Sequence, residues 1–356
     1  MIHIIAGTRP EFIKIAPIVW ELQKEEIDYR LIVTGQHFDR AMGAERLKEF
    51  GIEWDYHFGI NASDLSKLMN VLNEFLDHTR PDVVLVQGDT NTGLAGALTA
   101  HNLGIPVAHV EAGYTSRNWD MPEERNRFLI DSIASYCYCP TDSATINLKT
   151  RKSFHYAPDY QEIYFTGNTI IDIIKHFENQ LGDVGPEMIM TLHRPENVDN
   201  VETFQGILNG VSTVAKNKIV QYYLHPRVRK LYFSKPKQKK LVNIPSNVHI
   251  NDPIPIYKDM LTLIKNAKLI FTDSGGILEE AFYFQIPLIQ IREKTERPEV
   301  LRYNTSLTSG NSPELIFDAW QTLQRPHIKK YTEMKNLFGD GTASKKIVAH
   351  LKEVLK

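Results

Sequence analysis

Several carboxylates, histidines and glycine turns in this chain fall where apolar runs give way to helical period, and such junctions are where α/β proteins bind ligands. The first is Gly7-Thr8-Arg9-Pro10-Glu11-Phe12-Ile13-Lys14, directly after the apolar run Ile2–Ala6. A strand, a glycine turn and a helix start leave backbone N–H groups and the helix dipole facing an anion, and Arg9 and Lys14 add charge there. A plain strand-to-helix turn with Pro10 near the first helical position explains the segment equally well. It is neither a GxGxxG fingerprint nor a Walker loop, so no dinucleotide or ATP site follows. Asp89, in Gln87-Gly88-Asp89-Thr90-Asn91-Thr92, either offers a carboxylate at a strand's carboxyl end or caps the next helix. Glu111, in His109-Val110-Glu111-Ala112-Gly113, closes an otherwise apolar strand, and a buried carboxylate needs partners, which favours chemistry there. In Asp120–Arg127, Asp120 and Glu123 have capping-box spacing, and Arg127 lies four residues after Glu123 for an ion pair.

The second half repeats the pattern. Thr191-Leu192-His193-Arg194-Pro195-Glu196-Asn197 places His beside Arg after a strand, which suits a phosphate or proton-transfer role. His225-Pro226-Arg227 closes the following strand in the same way. Thr272-Asp273-Ser274-Gly275-Gly276-Ile277-Leu278-Glu279-Glu280 is another strand, glycine turn and helix, with Ser274, Gly275 and Gly276 leaving backbone donors for a pyrophosphate and Glu280 further along.

These positions require two sets of parallel strands. Short apolar runs at Ile2–Ala6, Arg30–Thr34, Val83–Gln87, Val107–Glu111, Tyr136–Cys139 and Glu162–Thr166 alternate with helical segments such as Ala62–Asp77 and Gly93–His101. A second set runs Met188–Thr191, Ile219–Leu224, Val248–Asn251, Leu269–Thr272, Leu288–Ile291 and Ser306–Thr308, with helices over Val201–Lys216, Tyr257–Asn266 and Gly276–Phe284. The expected fold class is therefore α/β, with two Rossmann-like doubly wound domains, residues 1–167 and 168–341, joined near Gly167. An anion site in each domain, both facing one cleft, is the coherent reading. The last helix, Ala343–Leu355, fits either domain.

Bulk properties narrow the function. The 356 residues carry 41 basic and 43 acidic side chains, which gives no electrostatic footprint for nucleic acid. The one dense basic stretch, Lys235–Lys240, reads as a solvated loop. Cys137 and Cys139 share a strand face without neighbouring His, which suits buried thiols in a reducing compartment rather than a zinc site or a disulfide framework. The N-terminus lacks a signal peptide, and no apolar run reaches the roughly 18 residues needed to span a bilayer, so a cytoplasmic protein without membrane contact is expected.

Taken together, Gly7–Lys14, Gln87–Leu94, His109–Gly113, Met121–Arg127, Thr191–Asn200 and Thr272–Ala281, with Glu296–Glu299 and Phe338–Gly341, resemble the non-hydrolysing UDP-N-acetylglucosamine 2-epimerase family along the whole chain. The resemblance implies a GT-B-type architecture whose C-terminal helix, about residues 342–356, packs back on the first domain. It also implies a UDP-sugar substrate, a homodimer, a place in cell-surface polysaccharide biosynthesis, and no NAD, PLP or metal. The implied reaction eliminates UDP to a 2-acetamidoglucal and re-adds it after the C2 proton returns on the other face; two faces call for more than one acid–base group. By the same resemblance Asp89, Glu111, Glu123 and His193 match catalytic positions. Glu111 and Glu123 would transfer protons at C2, Asp89 would tune their charge, and His193 would assist the departing UDP oxygen. Arg9, Lys14, His193, Ser274, Gly275, Gly276, Glu280 and Arg297 match positions that hold the uridine diphosphate.

The chain departs from the pattern at Tyr114-Thr115, where members usually carry Leu-Arg, leaving Arg117 as the nearest replacement cation. Gln36–Asp39 differs from the bacterial pattern linked to allosteric binding of a second UDP-GlcNAc, so regulation by substrate is not expected. The Phe38-Asp39, Ser116–Met121 and His225-Pro226-Arg227 stretches look more like archaeal members and relatives acting on UDP-2,3-diacetamido-glucuronate, whereas Glu11 leans towards the simple GlcNAc substrate. A diacetamido-uronate 2-epimerase and a catalytically inactive sugar-nucleotide sensor are the competing readings.

Overall fold

A computed structural model of the chain describes residues 1–35, 44–61, 64–154, 158–235, 238, 241–301, 305–325 and 337–356. Gln36–Asp39 and most of the basic stretch at Lys235–Lys240 lie outside the described residues. The chain divides into two compact units, Met1–His176 with Asn336–Lys356, and Phe177–Lys335.

The first unit holds seven parallel strands: β1 (Ile2–Ala6), β2 (Tyr29–Val33), β3 (Tyr56–His57), β4 (Val83–Gln87), β5 (Val107–Val110), β6 (Tyr136–Cys139) and β7 (Glu162–Phe165). Their order across the sheet is β3-β2-β1-β4-β5-β6-β7. Every residue of β1, β4 and β5 is buried, as expected of central strands covered on both faces. The helices are α1 (Arg9–Lys24), α2 (Leu65–Thr79), α3 (Asn91–Asn102), α4 (Pro122–Ile133), α5 (Asp142–Ser153) and α6 (Thr169–Phe177). The sheet grows outward from β1 in one direction and from β4 in the other, so right-handed crossovers place helices on both faces and open a crevice at the β1/β4 carboxyl ends.

The second unit has six parallel strands: β8 (Met188–Thr191), β9 (Val220–Tyr223), β10 (Val248–Asn251), β11 (Leu269–Thr272), β12 (Leu288–Gln290) and β13 (Ser306–Thr308). The order is β10-β9-β8-β11-β12-β13, with the reversal between β8 and β11. Its helices are α7 (Pro195–Val198), α8 (Val201–Ala215), α9 (Pro226–Val228), α10 (Tyr257–Asn266), α11 (Gly275–Tyr283), α12 (Pro298–Leu301) and α13 (Pro313–Leu323). Phe204, Tyr222 and Phe271 anchor its core.

The last helix, α14 (Ala343–Val354), belongs to the first unit, and the division falls at the end of α6 rather than at Gly167. Hydrogen bonds explain why. Asp172 on α6 accepts from Ser344 N–H at 2.8 Å and Ser344 Oγ at 2.6 Å, and Asn168 N–H donates to Phe338 O at 2.7 Å. Gly167 and Gly339, both at positive φ, lie back to back, where a methyl on Gly339 would come within 2.9 Å of the Gly167 Cα.

Candidate active site

In the first unit the chemistry-bearing side chains stand at the carboxyl ends of β1, β4 and β5. The turn after β1 is tight: a methyl at Gly7 would meet the hydroxyls of Thr34 and Thr92 at 2.5 Å. The expectation of open N–H groups at this turn is not met. Glu11, at the third position of α1, folds back so that its carboxylate accepts from Gly7 N–H at 3.1 Å, Thr8 N–H at 2.7 Å and Thr8 Oγ1 at 2.7 Å. Its other oxygen accepts from Thr90 Oγ1 at 2.8 Å. Burial pushes the Glu11 carboxyl upward, and these hydrogen bonds oppose the rise. The chain's own anion therefore occupies the N–H groups of the turn that leads into α1.

Lys14, one turn along, is also committed within the unit. Its buried ammonium lies 2.6 Å from Glu111 Oε1, so it faces a carboxylate at another strand's end. Glu111 receives Gln87 Nε2 on its second oxygen. Its backbone is left-handed at φ 72°, a conformation that is costly without glycine and persists only where the surroundings fix it. Tyr138 O supplies part of that restraint, accepting from both Glu111 N–H and Ala112 N–H at 3.1 Å.

Asp89 does not cap α3. Thr90 does, its hydroxyl accepting from Gly93 N–H at 3.0 Å, which leaves the Asp89 carboxylate to pair with Arg127 of α4. Asn126 donates to Asp89 O at 3.0 Å. The capping box expected of Asp120 and Glu123 is not formed either: Met121 precedes the first helical residue, Pro122, and Asp120 lies outside. Glu124 instead turns inward, and the segment Thr115–Arg117 wraps around it. Its carboxylate accepts from Ser116 N–H at 2.8 Å, Ser116 Oγ at 3.0 Å, Arg117 N–H at 3.2 Å and the Thr115 hydroxyl. Arg127 Nη1 completes the set at 3.0 Å. Thr115, a departure from the family pattern, thus acts as a donor to this carboxylate, and Tyr114 is buried. Glu123 remains half-exposed in the first turn of α4, and Arg9 half-exposed at the start of α1.

In the second unit, His193 follows β8 and its Nδ1 lies 2.7 Å from Asp273 Oδ1, at the end of the neighbouring β11. Asp273 also accepts from His193 N–H at 3.0 Å, Arg194 N–H at 2.9 Å and Asn197 Nδ2 at 3.1 Å. Burial would raise the Asp273 carboxyl, but the His193 charge and these donors outweigh it and hold it at about 2. A carboxylate on Nδ1 fixes the ring and directs Nε2 away from the sheet. His225 lies over the His193 ring at 5.3 Å, and burial, with His193 adding to it, lowers its titration to about 4.

At the start of α11, Ser274 is the cap, its hydroxyl accepting from Ile277 N–H at 3.4 Å. A methyl on Gly275 would lie 2.6 Å from Arg297 Nη1, so the glycine lets that guanidinium close over the helix start. Arg297 is held by Glu279 at 2.5 Å and by Glu296 at 3.5 Å, and Glu296 is itself paired with Arg292 at 2.8 Å. Glu280 accepts from Tyr257 OH at 2.7 Å. The sequence shows Glu124 and Asp273 only inside local motifs, so their roles are missed there, and Asp131 is missed altogether. Arg127 is met there as a partner for Glu123, whereas the guanidinium pairs with Glu124 on the same helix and with Asp89 on another element. Among the described residues, no group of three His, Cys, Asp or Glu is placed to hold a metal ion.

Two Rossmann-like units, each with polar groups gathered at its strand-order reversal, put the chain in the GT-B class of folds. The model of the UDP-N-acetylglucosamine 2-epimerase family matches residues 21–352, and the chain belongs to that family. It is 36% identical to the UDP-N-acetylglucosamine 2-epimerase of Methanocaldococcus jannaschii, covering 98% of this chain and 97% of that one. The UDP-2,3-diacetamido-2,3-dideoxy-D-glucuronate 2-epimerase of Pseudomonas aeruginosa is 31% identical, with 98% of each chain covered. The crystal structure of the M. jannaschii enzyme in complex with UDP-GlcNAc and UDP superposes with a TM-score of 0.86 at 35% identity, covering 99% of both chains.

Proposed function

We propose that the chain interconverts UDP-N-acetylglucosamine and UDP-N-acetylmannosamine by eliminating and re-adding UDP. The observation that carries this reading is Glu111, a carboxylate held in a left-handed turn and salt-bridged to buried Lys14. Such a pair keeps a base ionised and aimed without solvent to stabilise it. A carboxylate takes the C2 proton, the C–H electron pair becomes the C1–C2 double bond, and the C1–O pair leaves with UDP. For the return, a second group delivers a proton to the opposite face of C2, and a β-phosphate oxygen of UDP re-forms the bond to C1. Glu111 and Glu123 are assigned to those two proton transfers, with Asp89, paired to Arg127, setting the local charge. His193, oriented by Asp273, donates towards the departing oxygen, and Arg9, Ser274, Gly275, Gly276, Glu280 and Arg297 hold the UDP. Lys14 acts through Glu111. The same reading makes the enzyme a cytoplasmic homodimer feeding cell-surface polysaccharide synthesis; light scattering of the purified chain tests the dimer.

Incubation with UDP-GlcNAc in deuterated water, followed by NMR without added cofactor, should yield UDP-ManNAc carrying deuterium at C2. Turnover restricted to the diacetamido-uronate would transfer the assignment to that substrate, and UDP binding with no C2 exchange on either sugar would make the protein a sensor. Glu123→Gln should lower C2 exchange by about 10²–10⁴-fold while UDP still binds, the range expected when one acid–base group is lost. Exchange at the wild-type rate would remove Glu123 from the chemistry.

A further inference from the structure

Below the carboxylates of the first unit lies a buried group that the proposed chemistry does not use. His109, on β5, and Asp131, on α4, are almost wholly excluded from solvent, and His109 Nδ1 lies 2.8 Å from Asp131 Oδ1. His109 Nε2 lies 2.8 Å from the carbonyl oxygen of Gly88. A carbonyl oxygen only accepts, so Nε2 carries a proton. Asp131 receives Gly113 N–H at 3.2 Å and Arg151 Nη1 at 3.3 Å, so it is the ionised acceptor and Nδ1 carries a proton as well. Both ring nitrogens donate.

These two hydrogen bonds and that from Gly113 N–H to Asp131 join three segments. Gly88, at φ 71°, precedes Asp89; Gly113, at φ 86°, ends the turn that begins at Glu111, itself at φ 72°; and Asp131 sits on the helix that presents Glu123. All three left-handed residues therefore lie within this cluster or directly between its contacts. We infer that His109 and Asp131 form a positioning clamp, a doubly donating imidazole ring on a carboxylate, that fixes the Asp89 loop, the Glu111 turn and α4 relative to one another. This rests on the epimerase reading for what is positioned, but not for the clamp's own hydrogen bonds. Neither residue faces solvent, so the clamp acts through Glu111 and Asp89 rather than on substrate.

Two measurements test it. In the wild-type protein labelled with ¹⁵N-histidine, both His109 ring nitrogens should show the signature of N–H donors in the folded, substrate-free state. A neutral-tautomer signature would overturn the clamp whether or not the enzyme turns over UDP-GlcNAc. His109→Gln keeps N–H donors on a single nitrogen and presents an acceptor oxygen at the other end, so it cannot serve both acceptors. It should lower kcat for C2 exchange by about 10²-fold while the KM for UDP-GlcNAc and the Kd for UDP stay within about threefold, since a misplacement of the order of 1 Å is enough for such a loss. An unchanged kcat, or kcat and UDP affinity falling together, would overturn it. If His109→Gln fails to fold, Asp131→Asn supplies the same kinetic comparison. Absence of C2 exchange in the wild type would instead defeat the functional reading, leaving the ¹⁵N result to judge the clamp alone.

Discussion

Both units begin a helix in the same way, with a strand, a hydroxyl residue as cap and a short turn, yet the two helix starts are chemically opposite. At α1 the third residue is Glu11, and its carboxylate takes the N–H groups of Gly7 and Thr8. At α11 the third residue is Ile277, the first two are glycines, and a guanidinium from Arg297 lies against the opening. One helix dipole is answered by the chain's own anion; the other has no acidic residue in its first turn, and the guanidinium beside it is held from behind by Glu279 and Glu296. The first arrangement makes a rigid platform for the carboxylates of β4 and β5. The second suits an anion that comes and goes, such as a diphosphate.

The largest effect should come from removing the cation that makes the second helix start unlike the first. Arg297→Met takes the guanidinium away from Glu279, which is fully buried, while Glu296 keeps Arg292. Breaking a buried ion pair from one side costs about 3–5 kcal/mol of stability, measurable by urea unfolding, and UDP affinity should fall at least about 100-fold by calorimetry. UDP binding unchanged in a folded Arg297→Met protein would make the guanidinium a strut and erase the distinction between the two helix starts.

The strands that carry both helix starts were legible in the sequence, but the contrast between the starts was not, since both read there as anion sites. The central strands announce themselves because β1 and β4 are buried on both faces and so are apolar throughout, whereas the two-residue edge strand Tyr56–His57 is too short to show a period. The positions of Asp89, Glu111 and His193 were readable because each lies within two residues of a strand's carboxyl end. What Lys14 does was not, since its partner lies on another strand end and no local pattern encodes that pairing. The inward turn of Glu124 depends on helix phase set by Pro122, and two adjacent glutamates give no local sign of which one is buried. Asp273 reads as part of a cap motif until β8 is placed beside β11.

Unplugging the first helix start should make it resemble the second. Glu11→Ala leaves two backbone donors and the Thr90 hydroxyl without their acceptor, at a cost of about 1–3 kcal/mol. In NMR titrations with inorganic phosphate, the amides of Gly7 and Thr8 should shift in the variant only, while those of Gly275 and Gly276 should shift in the wild type. Equal responses at both helices in the wild type would show that Glu11 does not close the site.

Acid should act on the two units with opposite sign. The Asp273 carboxyl is held at about 2 against an ordinary 3.8, so its contribution is complete above about pH 4 and is lost as the pH falls towards 2. At about 1.4 kcal/mol per pH unit of displacement, that is roughly 2 kcal/mol. Glu11 is displaced upward, chiefly by burial, so the folded state holds its proton more tightly and acid favours it. The stability gap between the wild type and Asp273→Asn should therefore narrow by roughly 2 kcal/mol from mildly acidic conditions down to the pKa of Asp273, near 2. With Glu11→Gln the stability difference from wild type should move the other way. A gap that stays constant with pH would mean that Asp273 is not the ionised anchor of His193.

The smallest expected effect is the most discriminating, because it compares two caps of like chemistry. Ser274→Ala removes a hydroxyl that accepts one helix N–H, at a cost of about 0.5–1 kcal/mol of stability. Thr8→Ala removes a hydroxyl that donates to Glu11, and a net loss of similar size is expected for one hydrogen bond, about 1 kcal/mol. Stability alone therefore does not separate them. UDP affinity does: the serine variant should bind UDP about fivefold more weakly, a loss of about 1 kcal/mol, and the threonine variant should bind it as the wild type does. The reverse order would place the diphosphate at α1 and reverse the roles given to the two helix starts.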